Sequence, residues 1–443
     1  MKLRCLSTAL TAATLAASAS AAHAAAPWTA PVTIPGAGSP PAPLIATGDG
    51  RAVAFPAAAG PVTQITPLDP ATGAPLAGRV QAVRLADAHA VAYARGHYVL
   101  AGSTPDAQNT ISDRSHVQLG YGTSGGDVGP LKGIAGSTGE RVFALDANSD
   151  GVVAVLLGNT KERRLLIRRP NGRGLVEAFG TKVGSQGRGA TVAVGAQGDV
   201  LVVWENAHHI YARHVGPSGG VGAVHHLGDG VQSHLQAAVE AGGRLMAAWV
   251  SQRVSEGEAS GPATLFYTTA APGHGFGKAY KMEDVGAAGT GRYVSDPAVR
   301  LVTGGASLLA WTGTSPATGR YVVKAMPLDG GHRGSVQTVS DPSVNAVLGD
   351  LRVNAAGGAG LVWRAGVAGA DPDGTPQAVQ AALRGAPGQP FGTPETIAAP
   401  GSAATTFPYP PVLALVPTGP ALAEYGQFAG TSSTFQVAAR PAP

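Results

Sequence analysis

The chain has 443 residues, of which 13% are charged, with 31 Lys and Arg against 27 Asp and Glu and a net charge of +4. So small an excess, spread along the chain, supplies neither a nucleic-acid footprint nor a polybasic membrane patch. The 64 Gly and 34 Pro punctuate regularly spaced apolar runs instead of replacing them, which excludes a disordered low-complexity chain.

The first element in chain order is a leader. Lys2 and Arg4 precede a charge-free stretch from Leu6 to Ala22, and Ala22-His23-Ala24 offers small residues at both positions that a signal peptidase reads. Cleavage is expected after Ala24, because a cut after Ala26 would leave Pro27 beside the scissile bond. Residues 1–24 are read as a secretory signal peptide and 25–443 as one domain. The expected location is extracellular, or periplasmic if the host has an outer membrane. The one cysteine, Cys5, lies inside the leader. The mature chain therefore has no disulfide and no thiolate metal site, and about 420 residues must be held by their core alone. No later apolar run is long enough to span a membrane.

Trp28–Ile34 reads as a strand that stands ahead of the first repeat. A recurring unit then begins: a Gly-rich turn followed by a strand that is apolar on both faces. Gly48-Asp-Gly-Arg51 leads into Ala52–Phe55, Arg95-Gly-His97 into Tyr98–Leu100, and Asn148-Ser-Asp-Gly151 into Val152–Leu156. Ala196-Gln-Gly-Asp199 leads into Val200–Trp204, Ala241-Gly-Gly-Arg244 into Leu245–Trp249, and Thr303-Gly-Gly-Ala-Ser307 into Leu308–Trp311. Ala355–Gly360 precedes Leu361–Trp363, and Thr418-Gly-Pro420 precedes Ala421–Tyr425.

Each copy is a tight hairpin whose second strand must be covered on both sides. From Phe55 to Tyr425 there are seven steps of about 53 residues each. That period, without any helical pattern, predicts an all-β fold. The expected architecture is a β-propeller of about eight four-stranded blades, with seven as the runner-up. A pair of β-sandwiches is the competing architecture. A third strand (His209–Arg213, Tyr321–Ala325) and a fourth follow in each unit. Phe391-Gly-Thr-Pro-Glu-Thr-Ile397 closes one unit, and Trp28-Thr-Ala-Pro-Val-Thr-Ile34 has the same shape. The last unit, residues 411–439, ends after its third strand. Residues 28–34 are therefore expected to pair with it and close the ring.

Tyr211-Ala-Arg-His214 followed by a Gly-rich turn, and the closing strands of the form Phe/Trp-x-x-Pro-x-Thr, resemble the secreted bacterial β-propellers of the sialidase-like and neuraminidase-repeat type. The resemblance covers nearly the whole mature chain. It departs from the family in lacking the Asp box (Ser-x-Asp-x-Gly-x-Thr-Trp). The arginine triad, acid and Tyr–Glu pair of sialidases have no counterpart by local motif, so it implies no catalytic residue here.

Candidate chemistry falls in four places. Asp146, Asn148 and Asp150 match the start of a calcium loop, but Leu157 stands where its closing Glu belongs, and turn chemistry is the favoured reading. Six of the twelve histidines lie between His208 and His234. A turn centred on Pro217-Ser218 would set His209 opposite His226 as a divalent-metal pair, with Glu205 and His208 as further ligands. That divalent metal is the one cofactor the sequence admits. The tryptophans at 204, 249, 311 and 363 are expected in the core. Finally, Asp296, Asp341, Asp371 and Asp373 sit on connections expected to gather on one face. Asp106, Asp113, Glu256 and Glu258 join them there, and paired carboxylates in such a place are able to act as acid and base.

The residues favour a non-catalytic binding or scaffold module, a monomer taking an extracellular glycan or protein ligand. A carbohydrate-active enzyme, hydrolase or lyase, with its site at the channel mouth is the alternative.

Overall fold

The computed structural model describes residues 27–34 and 43–441, except 58–60, 94–95, 106–113, 171, 173–174, 183–188, 230–233, 256–257, 286–298, 305–306, 367–376, 400–404, 407–409, 418–419 and 430–431. Eight antiparallel sheets of four principal strands follow one another along the chain. They are the blades of an eight-bladed β-propeller, and the described residues include no helix. Each of the first seven blades is a simple meander, so successive strands run from the axis to the rim. The fourth blade is representative: Ala190–Val194 lines the axis, Val200–Asn206 and His209–Val215 follow, and Val221–Asp229 is outermost.

The second strands are buried along nearly their whole length, as in Val153–Gly158 and Ala359–Gly366. Their alternate side chains serve two different interfaces. Val200, Val202 and Trp204 pack on the third blade, while Leu201 and Val203 pack on the fifth. Period-2 alternation thus gives each strand two apolar faces, and only stacked neighbours cover both. Trp204, Trp249, Trp311 and Trp363 are all buried in these seams, and Trp249 stacks on Phe266 at 5.7 Å between centroids.

The ring is closed by Val32–Ile34, which adds an outer strand to Ser432–Arg440 of the eighth blade. The register is Val32 to Val437, Thr33 to Gln436 and Ile34 to Phe435, and Thr29 donates its N–H to the Ala439 carbonyl at 2.7 Å. Ile34 is buried with Leu44, Ala54 and Phe435 in the seam between the last blade and the first. Leu422 belongs to the same seam. Glu424, two residues on and so facing the same way, is fully buried with neither carboxylate oxygen bonded among the described residues. Burial raises its pKa well above the ordinary value.

Glu258, expected on a connection, lies instead on a strand. Leu245–Ser255 and Glu258–Ala270 stay paired out to Ser255 opposite Glu258.

Starting the chain at residue 36 instead of 25 should lower the melting temperature by at least about 5 °C, since it removes Ile34 from its seam and bares a strand edge. An unchanged melt would show that the closing strand contributes nothing. Trp249→Ala should cost about 3–5 kcal/mol in denaturant unfolding, the range for large core truncations.

Candidate functional site

Two places gather chemistry: the outer half of the fourth blade and the axial channel. In the fourth blade the hairpin turn Gly216–Gly220 is centred on Ser218, with Gly216 donating to the Gly220 carbonyl at 2.8 Å. Two bulges follow, between Arg213 and Val215 and between Ile210 and Tyr211, and each advances the register. His226 therefore lies opposite Tyr211, and His209 opposite Asp229. The expected direct His209–His226 opposition is incorrect. A bulge inserts an unpaired residue, which a count from the turn alone does not include.

The two imidazoles still meet diagonally, with ring centroids 5.3 Å apart. Asp229 joins them, its Oδ1 2.6 Å from His209 Nδ1 and 3.0 Å from His226 Nε2. The three ligand atoms lie within 4.8 Å of one another on the exposed rim. The hydrogen bond from His209 holds the Asp229 carboxyl below its ordinary pKa, and that from His226 adds to it. Tyr211 packs against both rings and is stacked in turn on Trp204. Asp229 was not anticipated; the spacing His226-x-x-Asp229 near the end of a strand was its only trace.

Glu205 and His208 stand apart from this group. Glu205 is 1% exposed and its N–H is bonded to the Gly189 carbonyl at 3.0 Å. His208 occupies the tight turn after it, where Ala207 and His208 both have positive φ, 47° and 71°. That is the backbone of a two-residue hairpin loop of type I′, built without its usual Asn or Gly. Asp341 is exposed and accepts the Ser343 N–H at 2.8 Å, which lowers its pKa. Turn geometry accounts for it. Asp296, Asp371 and Asp373 lie outside the described residues, as do Asp106, Asp113 and Glu256. Asn148 likewise does turn work: its Oδ1 accepts the N–H groups of Asp150 and Val152 at 3.1 and 3.0 Å, and its Nδ2 reaches Gly195 O at 2.9 Å in the next blade.

The inner strands enclose an axial cavity of about 680 Å³, and charged groups line it. Arg300 Nε and Arg352 Nε lie 3.4 and 2.9 Å from opposite oxygens of Asp350. Asp350 also accepts the N–H groups of Leu351 and Leu413 at 2.9 and 3.1 Å. It thereby ties the sixth, seventh and eighth blades together. A bulge between Leu348 and Asp350 precedes it. Gly349 is required there, because a Cβ would meet the Pro411 carbonyl oxygen at 2.4 Å.

Asp146 accepts the Val194 N–H at 2.7 Å across the next seam. It is half-buried in the channel wall, and desolvation pushes its pKa up to about 6 against the effect of that bond. His89, on the same wall, has its pKa lowered by burial, and His234 is brought down to about 4 by burial and then by Arg300. This polar band was not legible in the sequence, since its members lie mostly on four inner strands of different blades.

No protein-family model matches the chain, and the curated proteins include no significant sequence match. Among solved structures it is similar to the β-propeller domain of the Trilobed protease from Pyrococcus furiosus, with 10% identity over 80% of this chain and 93% of that one, at a TM-score of 0.46. It is similar too to the WD40 domain of SCAP from fission yeast (7% identity, 93% and 97% covered, TM-score 0.43). A third likeness is to the polysaccharide lyase Uly1 (11% identity, 78% and 88% covered, TM-score 0.39). What these share with the chain is the β-propeller fold.

The raised pKa of Asp146 has a defined sign in stability. Its contribution is full below 3.8, where the unfolded chain is protonated as well, and is lost as pH rises through about 6. Asp146→Asn keeps an acceptor for Val194 and should flatten the slope of stability against pH across that window, measured by urea unfolding. An unaltered slope would mean that Asp146 titrates as an ordinary surface acid.

Proposed function

We propose that this protein is a secreted, non-catalytic propeller that captures an extracellular glycan in its axial channel. The observation that carries the reading is the manner in which the channel carboxylates are engaged. Asp350 accepts two backbone N–H groups besides its arginines, and Asp146 accepts one. A carboxylate held in the manner of Asp350 laces blades together and is poorly placed to shuttle protons. The arginines remain able to receive hydroxyl or acid groups of a ligand; Arg352 in particular keeps a side chain 48% exposed. The leader-like residues 1–24 support secretion, and the sequence resemblance to sialidase-like propellers supports a sugar as the ligand class. The wild-type chain from residue 25 should bind specific glycans on an array, and Arg352→Lys, which keeps a cation beside Asp350 but not the guanidinium fork, should weaken them with the fold retained. Hydrolysis or lyase cleavage of a retained glycan would replace this reading with the enzymatic one.

A second reading has its own observation. His209, His226 and Asp229 offer two imidazole nitrogens and a carboxylate oxygen at one point of the rim, the donor set of an open divalent-metal site. Entry of the ion displaces the two imidazole–carboxylate hydrogen bonds, so binding releases protons and weakens on acidification. Calorimetry with zinc on untagged protein should register binding in the wild type and none in His209→Ala. Heat that is identical in both would remove the site.

A further inference from the structure

The axial cavity does not end at the charged band. On the face formed by the inner hairpin turns it continues, through Val194, Val239 and Thr303, into a groove of about 1040 Å³. A pocket of about 430 Å³ extends the groove between the sixth and seventh blades. The groove and the pocket share Pro327, Gly388 and Arg384.

Arg384 is the last residue of the third strand of the seventh blade, Gln377–Arg384. It is only 7% exposed, and its Nε and Nη2 reach no acceptor among the described residues. Several buried or half-buried arginines of this protein are matched to carboxylates: Arg164 to Glu140 at 2.6 Å, Arg440 to Glu395 at 2.8 Å, Arg300 to Asp350. Among the described residues Arg384 has instead the ring of Phe391, 5.6 Å away, and burial pulls its pKa below the ordinary value. The groove's acids do not serve it. Glu240 is taken by Ser307 at 2.8 Å and Arg244 at 3.5 Å, and Asp329 is exposed with no ion pair to Arg384 among the described residues.

The wall around the guanidinium is preformed. The Gln337 side chain donates to the Phe391 carbonyl at 3.0 Å and accepts the Phe391 N–H at 2.9 Å, which fastens the seventh-blade turn to the sixth blade. Gly388, at φ +76°, has open space beside it. Leu308, Ala325, Pro390 and Phe391 make the rest of the lining largely apolar. A desolvated cation without a counter-ion is costly, and a guanidinium fork is complementary to the two oxygens of a carboxylate.

We propose that the pocket between the sixth and seventh blades is an anion site, in which Arg384 is the counter-ion for a carboxylate carried on an apolar or ring-shaped body. The carboxylate belongs either to a free organic acid or to one acidic unit of a longer chain laid along the groove. The inference goes beyond glycan capture in the channel. That reading is tested by Arg352 and this one by Arg384, so either can fail alone.

The test is thermal melting and calorimetry of the chain from residue 25, at ionic strength matched with chloride, with benzoate, galacturonate and oligogalacturonate as probes. Saturating probe should raise the wild-type melting temperature by about 2–4 °C. Tighter binding of the oligomer than of the monomer assigns the groove to a longer chain, whereas benzoate binding alone assigns the pocket to a small acid. Arg384→Met should abolish the shift, and without probe it should melt at or above the wild type, because a buried unpaired charge has been removed. Arg384→Lys keeps the charge but not the fork and should bind at least about tenfold more weakly. The proposal is overturned if no probe shifts the wild type or if the shift survives in Arg384→Met. A probe-free Arg384→Met that melts well below the wild type also overturns it, since the guanidinium would then be a structural strut.

Discussion

Everything in this molecule depends on a short run of antiparallel hydrogen bonds between Val32–Ile34 and Phe435–Val437. A blade is a twisted sheet with two apolar faces, and it can bury them only between two neighbours. Seven seams are built by consecutive blades. The eighth, between the last blade and the first, closes over Ile34, a residue some 400 positions from the strand it joins. With that strand in place no blade has an uncovered face, and the outer edge of Ser432–Arg440 is paired.

Polar bonds across the seams then set the ring's rigidity. Asp146 reaches the Val194 N–H, Asn148 the Gly195 carbonyl, Thr312 the Leu348 N–H, and Asp350 the Leu413 N–H. Each is a side chain on one blade satisfying the backbone of another, near the axis where inner strands converge. The channel's charge is therefore first a structural device: burying Asp350 is tolerable because two arginines and two amides share it. Its availability to a ligand is what those bonds leave over, chiefly the outward part of Arg352. Glu424, buried at the closing seam, and Arg384, buried without a described counter-ion, depart from this economy of pairing.

The rim of the fourth blade illustrates how a small backbone event creates or destroys a site. Without its two bulges, the register set at Val215–Val221 would place His209 opposite Leu227, and Asp229 would fall opposite the turn at Ala207. With them, the imidazoles approach diagonally and the carboxylate arrives between them. A one-residue step in register is worth about 3.4 Å along a strand, comparable to the spacing of ligands around a metal ion.

The eight-fold repeat was legible from sequence because it rests on local physics. Gly-rich turns such as Ala241–Arg244, each followed by a strand apolar on both faces, repeat at a steady interval, and the tryptophans at 204, 249, 311 and 363 mark one buried position. The closing strand was legible too, since Trp28–Ile34 and Phe391–Ile397 share a pattern while the last unit is one strand short. What tertiary structure alone decided is what crosses blades or depends on bulges. The Arg300–Asp350–Arg352 cluster joins inner strands some 50 residues apart, and no local pattern announces which inward side chains will meet at the axis. Asp229 entered the histidine group through bulges that turn counting omits, and Glu205, expected beside His208, is buried in the wall of the second strand. Arg384 looks like an ordinary charged strand end until the sixth blade closes over it. Periodicity reports which face of a strand is apolar; only packing determines which polar groups are left without partners.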